Sequence, residues 1–241
     1  MNYAIIAAGE GSRLAAEGVE YPKPLVPING KPMIRRLIDI FLSCNAESIS
    51  VIVNKEMTEV EKYLRERVIP TCPVPFRLTV KSTPSSMHSF YEVSRDFAPG
   101  KFILTTVDTI FLEDDFRRYA QAFEGDLEVD GYMAVTEFID DEKPLYIEVD
   151  DGNFIKAFRD EPWDGVKYIS GGIYGLTSPQ ALNVLQRCID EGRSRMRNYQ
   201  RALIESGEEL RAYPFGQIID VDHASDIEKA NEFLRDEHEA R

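Results

Sequence analysis

Between Tyr3 and Val107 the chain alternates short apolar runs with longer amphipathic ones, and this alternation restricts the fold more than any other feature. The runs Tyr3–Ala8, Ser48–Val53, Phe76–Val80 and Lys101–Val107 are short and rich in β-forming residues, which predicts strands. Between them, Pro32–Ser43 places Met33, Ile34, Leu37, Ile38, Phe41 and Leu42 on one helical stripe. Glu56–Arg67 and Ser85–Arg95 predict two more helices. Strands separated by helices cannot pair as hairpins, so the pattern implies an α/β fold with a mainly parallel central sheet and helices on both faces. Such sheets bind ligands at the carboxyl ends of their strands. Glu113–Phe123 continues as a helix.

After Gly125 the rhythm shortens. Residues 131–137, 145–149, 154–158 and 166–176 read as closely spaced strands, with Asp150-Asp151-Gly152-Asn153 as a hairpin turn. We expect residues 125–176 to form a small β-rich lobe over the site, within one domain spanning 1–241. Ser178–Asp190 and Arg195–Ser206 then predict helices, the first with Ser178 as N-cap and Pro179 at its first position. Short strands at 211–214 and 217–221 precede a closing helix at 224–237.

The first strand opens into Gly9-Glu10-Gly11-Ser12-Arg13 and, soon after, Pro22-Lys23-Pro24. A glycine turn at a strand end exposes backbone N–H groups as an anion nest, and the missing Cβ atoms let phosphate oxygens approach. Arg13 and Lys23 add positive charge to the same mouth, and the two prolines limit the conformations around Lys23. This is neither the dinucleotide fingerprint, since Leu14 stands where a third glycine belongs, nor a phosphate-loop lysine motif. Asp108 closes a strongly apolar strand and projects over the same edge. A carboxylate facing a phosphate nest is accounted for by a hard divalent cation such as Mg²⁺, the alternative being a turn or N-cap role.

The combination Gly-x-Gly-Ser-Arg-Leu with Pro-Lys-Pro-Leu, extended by Pro27-Ile28-Asn29-Gly30-Lys31-Pro32-Met33, resembles the signature of the sugar-1-phosphate nucleotidyltransferases. The resemblance implies a glycosyltransferase-A-like nucleotidyltransferase fold. It also implies nucleotide contacts along Ala7, Ala8, Gly9, Gly11 and Ser12, with Arg13 and Lys23 as catalytic cations on phosphates. Asp108 matches the family's metal-binding strand end, although Val107 replaces a glycine there. The second metal ligand falls on Asp220 or Asp222; strand alternation would put both on one face. Asp226 reads as a helix-start charge and His223 as a turn residue. Ser85 and Ser86 occupy the loop that touches base and sugar, where Ser86 replaces glycine. Phe90-Tyr91 resembles a choline-phosphate cytidylyltransferase branch.

The stretch Tyr146–Pro162 resembles the acceptor hairpin, with Asp160-Glu161-Pro162 where the family has Glu-Lys-Pro, and Gly172 and Tyr174 follow on the next strand. The resemblance therefore implies acceptor contacts from Asp160, Gly172 and Tyr174. The lost lysine calls for another cation, Lys167 or Arg159. The implied activity joins an NTP to a phosphorylated acceptor, foremost a sugar 1-phosphate, with Mg²⁺ as cofactor. A cytidylyltransferase for a choline-type phosphate and a catalytically silent nucleotide-sugar sensor stay open.

Composition limits the partners. A net charge of −14 argues against nucleic-acid and membrane-surface binding, so an anionic substrate must be held by local cations. No stretch has the apolar length of a membrane span, and the first apolar run is too short, with no basic residue before it, for a leader. Cys44, Cys72 and Cys188 are too few and too scattered for a disulfide framework or a zinc site. A cytoplasmic protein is expected, and a homo-oligomer is compatible with the sequence.

Overall fold

The computed structural model describes residues 1–138 and 143–239, with side chains as far as 235. The chain begins β1 (Asn2–Ala7), α1 (Ser12–Ala16), the small ribbon β2 (Pro27–Ile28) and β3 (Lys31–Pro32), and α2 (Met33–Ser43). It continues β4 (Ser48–Val53), α3 (Thr58–Tyr63), β5 (Phe76–Val80), α4 (Ser86–Ser94), β6 (Gly100–Thr106), β7 (Thr109–Ile110) and α5 (Glu113–Gly125). The second part runs β8 (Gly131–Thr136), β9 (Tyr146–Val149), β10 (Ile155–Arg159), β11 (Tyr168–Ser178), α6 (Gln180–Asp190) and α7 (Met196–Glu205). It ends β12 (Leu210–Phe215), β13 (Ile219–Asp220) and α8 (Ala224–Glu239).

Among the described residues nine strands form one sheet in the order β10-β9-β11-β6-β1-β4-β5, with β8 and β12 attached along the free edge of β11. The pairs β6-β1, β1-β4 and β4-β5 are parallel, and β11 runs antiparallel to β6. β1 sits at the centre, buried on both faces, and its alternate residues feed two cores. Tyr3, Ile5 and Ala7 pack with Phe41 of α2 and with Phe116 and Phe123 of α5. Ala4, Ile6 and Ala8 pack with Phe90 of α4 and Tyr199 of α7. No helix among the described residues is long and apolar enough to cross a membrane.

A third, smaller core holds the site together. Leu14 of α1, Val26, Met33, Ile110 of β7, Val221 and Leu234 of α8 are all buried in one cluster. It fastens the glycine loop at the amino end of the chain to the strand end and helix that close it. Residues about 200 positions apart in sequence thereby share one wall of the site.

The β-rich stretch expected over 125–176 joins the central sheet: β8 and the eleven-residue β11 extend it beside β6, and the β9–β10 hairpin continues it. Two expectations need correction. The helix expected over 56–67 starts as α3 but loosens into a wider turn over Leu64–Val68. Ser178 belongs to β11, and Pro179 takes the N-cap position of α6.

Where β8 crosses β11, glycine is required by contact. A Cβ on Gly131 would stand 2.7 Å from the Gly175 carbonyl oxygen and 3.0 Å from Leu176 Cδ2 and Leu210 Cδ2. Backbone cannot move aside as a side chain can. Gly131→Ala is expected to cost about 1–3 kcal/mol by overpacking, read as a lower denaturant midpoint. An unchanged midpoint would contradict this packing.

Candidate active site

The glycine loop forms because β1 ends at Ala7 and the chain must turn sharply over the sheet edge. Gly11 adopts a left-handed φ of 63°, and a Cβ there would lie 2.9 Å from Lys23 Cβ. The absent side chain is thus what lets the Lys23 stem cross the loop. Gly11→Ala is expected to destabilise the protein by about 1–2 kcal/mol and to weaken the phosphate binding that the sequence predicts for this loop, because it strains the loop and displaces Lys23. Thermal denaturation and equilibrium binding check both effects; wild-type values in both would contradict the role given to this glycine.

Lys23 is 9% exposed, and its Nζ lies 2.5 Å from Asp108 Oδ2 and 2.6 Å from Asp222 Oδ1. Burial by itself would depress the ammonium, but the two carboxylates more than offset it and hold Lys23 above the ordinary lysine pKa. Burial likewise opposes ionisation of Asp108, and Lys23 outweighs it, keeping that carboxyl below its usual range. Arg13 stands further out, half exposed, with Nη1 2.8 Å from Asp222 Oδ2. Asp222 therefore ties together both cations singled out in the sequence.

Asp222 lies beyond the end of β13, so strand alternation does not decide which side it takes. β13 ends at Asp220, which is paired with Thr109 of β7, and the chain then turns. Asp226 closes that turn, its Oδ2 accepting from the backbone N–H of Asp222 at 3.2 Å and of His223 at 2.8 Å. Past this turn Asp222 reaches Lys23 and Arg13. Asp108 and Asp220 both raise the pKa of the buried Tyr174 hydroxyl, after the larger effect of its burial. His223 faces Glu17, Nδ1 to Oε1 2.6 Å, and the other Glu17 oxygen accepts from Ala224 N–H at 2.6 Å. This contact clips the end of α1 to the start of α8.

Two cavities meet here. One, of about 390 Å³, is bordered by Ala8, Gly9, Gly11, Lys23, Asn54, Ser85, Ser86 and Asp108 among others. The other, of about 360 Å³, is bordered by Asp108, Gly172, Tyr174, Gln200, Asp220 and the cations Lys143, Arg195 and Arg197 among others. Ser86, Thr106 and Asp108 belong to both walls. Gly172 opens the second cavity: it lies in the irregular stretch of β11 between Ser170 and Tyr174, at φ 70°, with Thr109 Oγ1 3.0 Å from where its Cβ would be.

Of the residues singled out in the sequence, Ala8, Gly9, Gly11, Ser85 and Ser86 border the first cavity, and Gly172, Tyr174 and Asp220 the second. Ala7 is buried beneath the loop, Ser12 begins α1 outside the wall, and Asp160 stands off the second cavity. Asp160 is drawn away by Arg197 Nη1 at 2.5 Å and Arg201 Nη2 at 2.7 Å. Neither replacement cation reaches the cavity, since Lys167 pairs with Glu137 and Arg159 with Glu148. Glu161 is exposed outside both walls.

Several wall residues escaped the sequence reading, among them Asn54, Lys143, Arg195, Arg197 and Gln200. Asn54, 7% exposed at the end of β4, donates to the Ala8 carbonyl at 3.3 Å and accepts from Ser82 Oγ at 2.6 Å. A polar residue closing an apolar strand was the signal available there, the same one that marked Asp108. Lys143, Arg195 and Arg197 carried no signal, because only the return of α7 to the sheet edge brings them in.

Paired cavities meeting at a strand-end carboxylate, with a glycine nest on one side, place the chain in the nucleotidyltransferase class of α/β folds. Residues 3–170 match the MobA-like NTP transferase domain, and the chain belongs to that family. It is 24% identical over 240 residues to the bifunctional protein GlmU of Methanocaldococcus jannaschii, a match covering 98% of this chain and 55% of that protein. The chain thus spans about half the length of this relative. A shorter match, 42% identical over 66 residues, links it to the 2-aminoethylphosphonate cytidylyltransferase of Lancefieldella rimae, over 27% of this chain and 26% of that one. The inositol-1-phosphate CTP transferase structure from T. maritima shares the fold, with a TM-score of 0.77 at 18% identity, covering 97% of this chain and 94% of the other.

Proposed function

We propose that the protein transfers a nucleotidyl group from an NTP to a phosphorylated small-molecule acceptor, releasing pyrophosphate. The observation that carries this reading is the junction: two cavities share Ser86, Thr106 and Asp108, with Lys23 at their meeting point. The NTP would lie in the cavity of the glycine loop and the acceptor in that of Gly172 and Tyr174. An acceptor phosphate oxygen would bond to the α-phosphorus as the bond to the leaving pyrophosphate breaks. Two anions must meet in this step, so catalysis is positioning plus electrostatic stabilisation. Lys23 supplies a buried positive charge at the junction, and Arg13 supplies another at the exposed mouth.

Asp108 and Asp220 fit a Mg²⁺ site. They come from neighbouring strand ends and border one cavity, and Mg²⁺ is commonly held by one or two carboxylates with the remaining positions taken by substrate phosphates and water. Bound there, Mg²⁺ would neutralise charge on the phosphates. Asp222 serves instead to orient Lys23 and Arg13.

The foremost acceptor class is a sugar 1-phosphate, supported by a 20% identical relative from Campylobacter jejuni, a D-glycero-alpha-D-manno-heptose 1-phosphate guanylyltransferase matched over 73% of this chain and 76% of that protein. The short match to a 2-aminoethylphosphonate enzyme supports a second reading, in which a positively charged phosphonate or phosphate ester takes that place with CTP as donor. Each of the four common NTPs would be incubated with Mg²⁺ and a panel of sugar 1-phosphates, choline phosphate and 2-aminoethylphosphonate, scoring pyrophosphate. Release with one pair only supports the transfer. Binding of an NTP without release from any pair would favour a silent sensor.

A further inference from the structure

Within a chain of net charge −14, the acceptor-side cavity gathers Lys143, Arg195 and Arg197 on its wall. The hairpin's own cations are spent elsewhere: Lys156 pairs with Asp150 at 2.7 Å and Arg159 with Glu148. The cavity's positive charge therefore comes mainly from the first turn of α7. Arg195, the residue before that turn, is held at φ 68°, ψ 141°, a backbone region that L side chains rarely adopt. Its N–H donates to Ser85 Oγ at 3.3 Å, which ties α7 to the wall of the first cavity. Its guanidinium has no hydrogen-bond or ion-pair partner among the described residues.

Arg197 is fixed differently. Nη1 lies 2.5 Å from Asp160 Oδ1 and Nη2 donates to the Lys143 carbonyl at 2.9 Å, which draws all three segments to one place. Asp160 also holds Arg201, so it anchors the α7 arginines and does not itself touch the cavity. No side chain caps the start of α7, whose positive dipole end faces the same space. Gln200, one turn further along, supplies an independent sign of a ligand. It is 2% exposed and borders the cavity; its Oε1 accepts from Ser170 Oγ at 3.3 Å, while its amide nitrogen has no partner among the described residues. That nitrogen opens onto the cavity, where it can donate to an acceptor oxygen of a ligand.

We infer that Arg195, Arg197, Lys143 and the Gln200 amide form an anion subsite for the dianionic head of the acceptor, a phosphate monoester or a phosphonate. The inference deepens the function proposed above and rests on it for the identity of the ligand as acceptor. The subsite lies on a helix, so the acceptor's charged end is held by a rigid element and its oxygen is presented toward the junction at Asp108.

Arg195→Gln and Arg197→Gln remove side chains at the surface end of the helix, and unchanged melting curves establish that the fold is retained. Each substitution is expected to raise the acceptor KM about tenfold or more while leaving the NTP KM within about threefold, as for loss of one charge-assisted contact. Equal effects with a phosphate-ester and a phosphonate acceptor would show that the shared head group is read; an effect on one class only would restrict the subsite to that class. A readout independent of catalysis is calorimetric binding of inorganic phosphate and of methylphosphonate. The wild type should bind at least one, and the double variant Arg195→Gln/Arg197→Gln should lose it. Binding with no turnover of any acceptor would overturn the proposed function and leave the subsite standing. No binding by the wild type, or equal binding by the double variant, would overturn the subsite.

Discussion

Lys23→Ala is expected to lower turnover by about a hundredfold or more, the scale for removing one preorganised charge from a transition state that gathers phosphate charge. It is also expected to lower stability, unlike the loss of an ordinary surface lysine. Lys23 is 9% exposed and separates two carboxylates, with Asp108 and Asp222 at 2.5 and 2.6 Å. Without the ammonium, Asp108 and Asp222 face each other across a partly buried gap. The cost is about 1–3 kcal/mol, below that for a fully buried pair, because Asp222 is half exposed and can rehydrate. Arg13→Ala separates the two effects. Its side chain is half exposed, so turnover should fall while the melting temperature stays near wild type. Steady-state kinetics and thermal denaturation on the two variants check this. Equal melting temperatures for both would contradict the buried bridge, and wild-type turnover in both would make the glycine loop structural.

Asp108→Asn should have the largest effect on catalysis of any single change, removing activity below about one part in a thousand. This carboxylate borders both cavities and touches Lys23, so its loss removes the proposed metal ligand and misplaces the ammonium together. Asp220→Asn should also remove most activity, and excess Mg²⁺ should partly restore it, because one carboxylate of the pair remains. Asp222→Asn should behave differently. Its carboxylate holds Arg13 and Lys23 and borders neither cavity, so the change should move the NTP KM and leave the Mg²⁺ concentration for half-activity near wild type. A shift in Mg²⁺ requirement for Asp222→Asn with none for Asp220→Asn would reverse the assignment.

The parallel strands of the sheet were legible from local sequence, whether central and buried or at the edge. Ser48–Val53 and Phe76–Val80 were placed to the residue, because a short run walled by turn residues leaves little choice of bounds. Asp108 was legible for a related reason: a charged residue just past a largely buried strand is placed at the sheet edge. Residues 125–176 were legible as strands but not in their pairing, because spacing shows that strands exist and not which edge they join. β11 turns from β9 to β6 along its length, which no local pattern encodes. Strand alternation also failed for Asp222, since β13 stops at Asp220 and Asp226 closes a turn behind it. The cations of the second cavity were out of reach altogether. Arg197 lies 37 residues from Asp160, and only the packing of α7 on β10 joins them.

The central claim is that a phosphorus–oxygen bond forms between an NTP and an acceptor held in adjoining cavities. Label transfer tests it most directly, comparing NTP labelled at the α- or the γ-phosphorus in the presence of Mg²⁺ and the acceptor that supports pyrophosphate release. Label from the α-position should appear in a product that also contains the acceptor, and label from the γ-position should leave as pyrophosphate, with neither product formed by Asp108→Asn. Label from the γ-position appearing on the acceptor, or α-label in the acceptor product formed equally by Asp108→Asn, would contradict it.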